Sequence, residues 1–342
     1  MTRRRALVIA PGRGTYNKEE LGYLARHHGA RGDMLARFDA LRRQAGQAGV
    51  SELDGAGRFV LSRYSRGDNA SALIHACAVA DFDAIDRDAY DIVAVTGNSM
   101  GWYIALACGG ALDEAGGFVL TNTMGTLMQQ ALIGGQLIYP FVDADWREIP
   151  GKRDEILALI ERTEGLFLSI MLGGMLVLAG HEAALEQAAR QLPRVQDRFP
   201  MRLANHAAFH TPLQRPVSDR GKAALGAAVF RSPGLALIDG RGRIWWPHAT
   251  DTAALGDYTL GHQVVAPYDF TGAVRTGLRE FAPDVVIVLG PGRTLGGAVA
   301  QSLIACGWQG LEGKADFQAR NRDRPMVLSM GVDGQREQVV SG

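Results

Sequence analysis

Asp91-Ile92-Val93-Ala94-Val95-Thr96-Gly97-Asn98-Ser99-Met100-Gly101-Trp102 is the stretch on which the reading of the fold turns. After Asp91 its first half is a continuous apolar run rich in β-branched residues, as in a strand buried on both faces of a parallel sheet. Its second half fits G-x-S-x-G, and residues 102–108 that follow have helical composition. A serine held in so tight a strand-to-helix turn has its hydroxyl pushed out at the carboxyl end of the sheet, and the flanking glycines relieve the crowding. The start of the next helix presents free N–H groups, and that of Met100 is placed to stabilise an oxyanion. A capping serine in a Gly-rich turn is the plainer reading of the same letters. The strand before and the helix after favour a nucleophile.

Two more apolar runs share this pattern: residues 6–10, ending at Pro11-Gly12, and residues 285–289, ending at Gly290-Pro291-Gly292. Segments with helical spacing, 21–48 and 71–82, lie between them, so strand and helix alternate as in an α/β fold with right-handed crossovers. The middle reads differently. Residues 152–162 and 182–191 look helical, 166–171 and 175–179 look like strands around Gly173-Gly174, and 201–204 looks like another strand. A β-β-α-β unit of this size is expected as an inserted subdomain. From about residue 309 the chain is polar and Arg-rich, with a short apolar run at 326–330, and reads as a C-terminal extension.

Length and composition bound the possibilities. The 342 residues allow about two domains or one large one with an insertion, and 47% apolar with 21% charged residues supply a sizeable core and argue against disorder. Lys plus Arg and Asp plus Glu are both 36, which gives no support for a nucleic-acid partner. Cys77, Cys108 and Cys306 are too widely spaced for a disulfide framework or a metal pair, so a reducing, cytoplasmic setting is expected. After Arg3-Arg4-Arg5 the apolar run is too short for a signal peptide, and nowhere do 18 apolar residues run together to span a membrane.

A serine hydroxyl needs a base near neutral pH. Of the eight histidines, His27 and His28 fall in an Arg-rich helix expected to be exposed, His75 and His181 in helical patterns, and His248 beside Pro247. His206 and His210, in Asn205-His206-Ala207-Ala208-Phe209-His210-Thr211-Pro212-Leu213, follow a strand, where a sheet enzyme places groups that converge on such an elbow. Their i, i+4 spacing also suits a zinc helix. However, Ala207 stands where that motif needs Glu, Pro212 follows closely, and no third ligand is near, so no metal is expected.

Pro11-Gly12-Arg13-Gly14, the elbow, Ala208-Phe209-His210-Thr211-Pro212-Leu213 and Leu289-Gly290-Pro291-Gly292 occur in this order. Together they resemble the malonyl-CoA:acyl-carrier-protein transacylase family, which includes the acyltransferase domains of fatty-acid and polyketide synthases; the likeness covers about residues 6–308. The resemblance implies an α/β-hydrolase-like core with a parallel sheet (residues 1–127 and 207–308), an inserted ferredoxin-like subdomain (128–206) and the extension 309–342. It implies acyl-CoA as substrate, an acyl-Ser99 intermediate with His210 as base, and transfer to the phosphopantetheine thiol of an acyl carrier protein, with no permanently bound cofactor. The backbone N–H groups of Met100 and Arg13 would form the oxyanion hole. A backbone carbonyl in Gln263-Val264-Val265-Ala266-Pro267 would orient the histidine, with Gln263 and Ala266 as the candidates.

The departures from the family concern specificity. Asn98 and Trp102 replace the usual elbow His and Glu, and Arg13 the usual Gln. Met124 falls where the family carries an Arg for the malonyl carboxylate, a partner a thioether cannot replace. Met124, Ile170, Met171 and Phe209 would then line an apolar acyl pocket favouring uncharged groups. Core filling is the plainer role for the methionines, and Arg13 is the candidate for a substitute cation that would keep malonyl acceptable. An editing thioesterase and a non-catalytic scaffold are the alternatives on this fold. A nucleotide site at Gly290-Pro291-Gly292 lacks both the G-x-G-x-x-G spacing and the expected acidic residue. Arg202, Arg215, Arg220, Arg275 and Arg279 are candidates for docking an acidic carrier.

Overall fold

The computed structural model describes residues 2–226 and 230–340. Ala6, Leu7, Val8, Ile9 and Ala10 expose no surface at all. A backbone so enclosed has to be paired on both edges and covered on both faces. The strands among the described residues are β1 (Arg4–Ala10), β2 (Tyr90–Gly97), β3 (Gly135–Pro140), β4 (Leu166–Leu172), β5 (Met175–Gly180), β6 (Met201–Arg202), β7 (Leu237–Ile238), β8 (Ile244–Trp245), β9 (Tyr268–Asp269), β10 (Val285–Val288) and β11 (Val327–Ser329). They form two sheets. The larger has the order β11-β10-β1-β2-β7-β8, parallel except for the edge strand β8, and places β1 near its centre. The smaller has the order β6-β3-β5-β4-β9.

The helices that position the site are α1 (Tyr23–His27), α2 (Gly32–Gln44), α3 (Gly67–Ala84), α4 (Gly101–Cys108), α5 (Glu114–Gln130), α6 (Lys152–Arg162), α7 (Glu182–Gln191), α8 (Arg215–Leu225), α9 (Phe270–Phe281) and α10 (Leu295–Ala305). α5 starts where Asp113 accepts a hydrogen bond from the Gly116 N–H, one of the donors a helix start leaves free.

The strands expected at 6–10, 91–95 and 285–289 are β1, β2 and β10 of the larger sheet, and the helices expected at 152–162 and 182–191 are α6 and α7. In contrast, β7 and β8 were not read from the sequence, and the helical segment 21–48 divides into α1 and α2. The smaller sheet departs from the expected β-β-α-β order, because β3 precedes α6 and pairs antiparallel with both β5 and β6. The unit is β-α-β-β-α-β. β3 is hidden in the sequence because Gly134, Gly135 and Pro140 bracket only three apolar residues, and its Gln136 is buried with a partner, Ser169 Oγ at 2.7 Å. The short β9 pairs parallel with β4, tying the smaller sheet to the chain just after Gln263.

The segment after residue 308 docks onto the larger sheet through β11, parallel to β10. Arg336 reaches Asp81 and the Tyr23 hydroxyl (3.0 Å), and His28 Nε2 lies 2.7 Å from Asp81. His28 is therefore buried, not exposed as its Arg-rich surroundings suggest: a buried carboxylate holds it. Asp81 also accepts the Gly290 N–H at 2.7 Å, while the backbones of Thr15 and Gly331 crowd Gly292. The Gly-rich turn after β10 thus spends its room and a donor on the protein itself.

Candidate active site

The elbow is made by two close approaches. A Cβ on Gly97 would overlap the Gly101 carbonyl, and one on Gly101 would overlap the Ala10 carbonyl, so the β2–α4 turn packs at backbone contact on β1. Ser99 between them has φ 55°, a left-handed conformation costly for a residue with a side chain. His210 has φ 58°. Both groups of the candidate pair are thus held in strained backbone, a condition that persists only where the surroundings enforce it. Tyr268 donates to the Gly97 carbonyl (2.6 Å) and the Gln263 amide to the Ser99 carbonyl (3.1 Å), fastening the turn from the other side.

Ser99 Oγ lies 2.7 Å from His210 Nε2, and His210 Nδ1 lies 2.6 Å from the Gln263 carbonyl oxygen. A carbonyl only accepts, so Nδ1 carries the proton and Nε2 is free to accept from the serine. Burial lowers the His210 pKa to about 4, against a smaller opposing effect of the Gln263 carbonyl. The imidazole is therefore neutral, with Nε2 in its proton-accepting form, at neutral pH. Acyl-enzyme formation should hold level as the pH falls through 6.5, the ordinary histidine value, and decline only toward about 4, where the base form is lost. A single-turnover pH profile with its acid midpoint at the ordinary value would contradict this placement of the imidazole.

Neither the Met100 nor the Arg13 N–H donates to another described residue, and both residues line the cavity beside Ser99. Ala266 is corrected: the helical turn ends before it, its own N–H bonds to the His262 carbonyl, and Gln263 supplies the carbonyl on the imidazole. His206, the other histidine of the segment, bonds Gln136 Oε1 at 2.7 Å instead. Among the described residues no three His, Cys, Asp or Glu side chains converge on a metal site.

Two cavities meet at Ser99. The inner one is small, about 20 Å³, and its wall includes Arg13, Ser71, Gly125 and Met128. The outer one, about 320 Å³, runs between the two sheets past Ile138, Ile170, Leu172, Val177 and Leu203. Phe209 borders both. Of the four residues expected to line an acyl pocket, Ile170 and Phe209 line these cavities and two do not. Met124 turns onto Gly221 of α8 and is wholly buried there, so it packs the core. Met171 faces a separate cavity with Arg275 and Cys306, because alternate residues of β4 point to opposite faces. Met128, one helical turn beyond Met124, is the methionine in the cleft. Trp102 does not reach the cleft. Its indole N–H donates to Thr259 Oγ1 (3.0 Å) and its ring meets Tyr258 edge-on.

Sequence reasoning passed over Ser71, Met128, Tyr103 and the Gln263 side chain. Tyr103, on α4 four residues after Ser99, donates to Gln263 Oε1 (2.9 Å), and that helical spacing is the signal that was available. For Ser71, on another helix, the sequence carries none.

No family model matches the chain. It is 26% identical, over 311 residues, to a phenolphthiocerol-synthesis type I polyketide synthase of Mycobacterium marinum, a match covering 86% of this chain and 13% of that protein. It is 28% identical over 215 residues to the malonyl CoA-acyl carrier protein transacylase of Haemophilus influenzae, covering 59% of this chain and 63% of that one. The chain thus spans less than two thirds of the length of either relative. A solved complex of a type II polyketide synthase acyl-carrier protein with its malonyl-transacylase superposes with a TM-score of 0.74 at 18% identity, over 98% of this chain and 99% of that chain. The family likeness read from four motifs therefore has counterparts both in sequence relatives and in fold.

Proposed function

We propose that the chain is an acyltransferase that moves an acyl group from an acyl-CoA, through Ser99, to the phosphopantetheine thiol of an acyl carrier protein. The observation that carries the reading is the Ser99 Oγ–His210 Nε2 contact of 2.7 Å, with Nδ1 anchored on the Gln263 carbonyl. His210 takes the proton as Ser99 Oγ attacks the thioester carbonyl. The tetrahedral oxyanion lies against the Met100 and Arg13 N–H groups, and collapse breaks the C–S bond. The departing CoA sulfur takes the proton from His210, leaving the ester on Ser99. The carrier thiol then gives its proton to His210 and attacks that ester, and the serine leaves protonated. CoA and phosphopantetheine enter as substrates, so no resident cofactor is needed.

The polyketide-synthase and transacylase relatives and the carrier-protein complex support this choice of partner. The apolar walls of the outer cavity suit the stem of a pantetheine arm. Three cysteines without disulfide partners fit a cytoplasmic setting, and no described helix is long and apolar enough to cross a membrane. The expected preference for uncharged acyl groups loses two of its four wall residues, Met124 to the packing on α8 and Met171 to another cavity, while position 124 still supplies no cation for a carboxylate.

The test follows the mass of a holo acyl carrier protein incubated with the chain and malonyl-CoA. The expected result is gain of one acyl group by the holo carrier and none by the apo form lacking the arm. Release of free acid in preference to carrier loading would instead favour an editing thioesterase, and an unchanged carrier with intact CoA ester would favour a scaffold.

A further inference from the structure

The inner cavity holds buried donors that the fold itself does not use. Arg13 is only partly buried as a residue, yet its Nε and Nη1 are sealed from solvent without a hydrogen-bond partner among the described residues, as is the Ser71 hydroxyl. Both side chains line the cavity that contains Ser99. Only Nη2 of the guanidinium is engaged, with the Ser65 and Asn205 carbonyls at 2.8 and 3.2 Å, while Phe209 lies 5.4 Å beneath. The group sits where α3 and α5 come closest. Nη1 is 3.6 Å from where a Cβ of Gly67 would stand, and one turn along α3 Ser71 Oγ abuts Gly125.

Nearly all buried polar groups have partners, and a buried charge without one is costly. No carboxylate supplies one here. Asp68, the acid whose charge acts on Arg13, is bound by Arg66 through two contacts of 3.0 and 3.1 Å. Burial lowers the Arg13 pKa only to about 10, so the group stays cationic at neutral pH. A cation with unspent donors, joined by a hydroxyl, selects an anionic acceptor. The 20 Å³ of space admits only a short one.

We propose that the Arg13 guanidinium and the Ser71 hydroxyl form an anion subsite that receives the carboxylate of a short dicarboxylic acyl group esterified to Ser99. The subsite rests on the acyl-transfer reading above. It moves the charge recognition to the loop after β1, whose Arg13 backbone N–H the acyl-transfer reading assigns to the oxyanion. One residue then reads both ends of the acyl group.

The test measures which group Ser99 carries, by intact mass, after exposure to equimolar malonyl-CoA and acetyl-CoA. The expected result is malonyl in at least about tenfold excess, since one charge-assisted contact is worth that or more. Arg13→Gln, which keeps the backbone N–H, is expected to remove that excess, and Ser71→Ala, which keeps the cation, to reduce it severalfold. Equal loading by the unaltered protein, or a ratio that Arg13→Gln leaves unmoved, overturns the subsite. If Ser99 carries neither group, it is the acyl-transfer reading that fails. The subsite is then judged with malonate itself: a rise in the melting temperature of Ser99→Ala protein, absent in chloride of equal ionic strength and lost on adding Arg13→Gln, supports it. No rise overturns it.

Discussion

Ser99→Ala is expected to lower acyl transfer to a carrier protein by on the order of 10⁴-fold or more, with the fold retained. The size follows from the covalent step: without Oγ there is no ester, and only positioning and the oxyanion donors remain. Retention of the fold follows from the backbone, because φ 55° is imposed by contact of the elbow with β1 and not by the hydroxyl. A second substitution separates chemistry from stability. Ser99→Gly also removes the nucleophile, but glycine adopts this φ without the side-chain penalty of about 1–2 kcal/mol. It should melt at or above the temperature of the unaltered protein while being equally inactive. Transfer assays beside thermal melts read both effects, and an active Ser99→Ala protein would remove Ser99 from the reaction.

His210→Asn is expected to lower kcat/KM by roughly 10² to 10⁴-fold, the usual worth of a positioned general base. Asparagine is the informative choice because it tolerates φ 58° and its amide can still donate to the Gln263 carbonyl. The loss then reports the missing base and not a collapsed turn. Its pH profile should also differ. The unaltered protein stays level through 6.5 because burial keeps the imidazole neutral, whereas His210→Asn depends on solvent hydroxide and its rate should climb with pH. Activity within tenfold of the original, or an unchanged profile, would mean that the base lies elsewhere.

Local signals made the three central strands of the larger sheet, β10, β1 and β2, and the elbow legible in the sequence. Each central strand is an unbroken apolar run rich in β-branched residues because both faces are buried, and the glycines at 97 and 101 mark the backbone contacts of the turn. The helices of the smaller sheet were equally plain. β3 was not, since its short apolar stretch between glycines and a proline has the look of a loop. The Ser99–His210 contact was legible because each residue lies in a recognisable motif. The wall of the pocket was not, because facing is a tertiary property. Met124 and Met128 sit four residues apart on α5, yet α8 takes the first and leaves the second to the cleft. Likewise Met171 and Ile170 are neighbours that the pleat of β4 separates. Asp81 gathers Tyr23 and His28 from one segment and Arg336 from another far along the chain, and nothing in those segments alone announces that cluster.

The most direct test traps the ester: the chain is mixed with malonyl-CoA, quenched in acid within the first turnover, and its mass and peptide map are read. The account predicts one added acyl group, on the peptide containing Ser99, discharged when a holo carrier protein is supplied before the quench. Acyl mass on any other residue, or carrier loading with Ser99 never acylated, would contradict it.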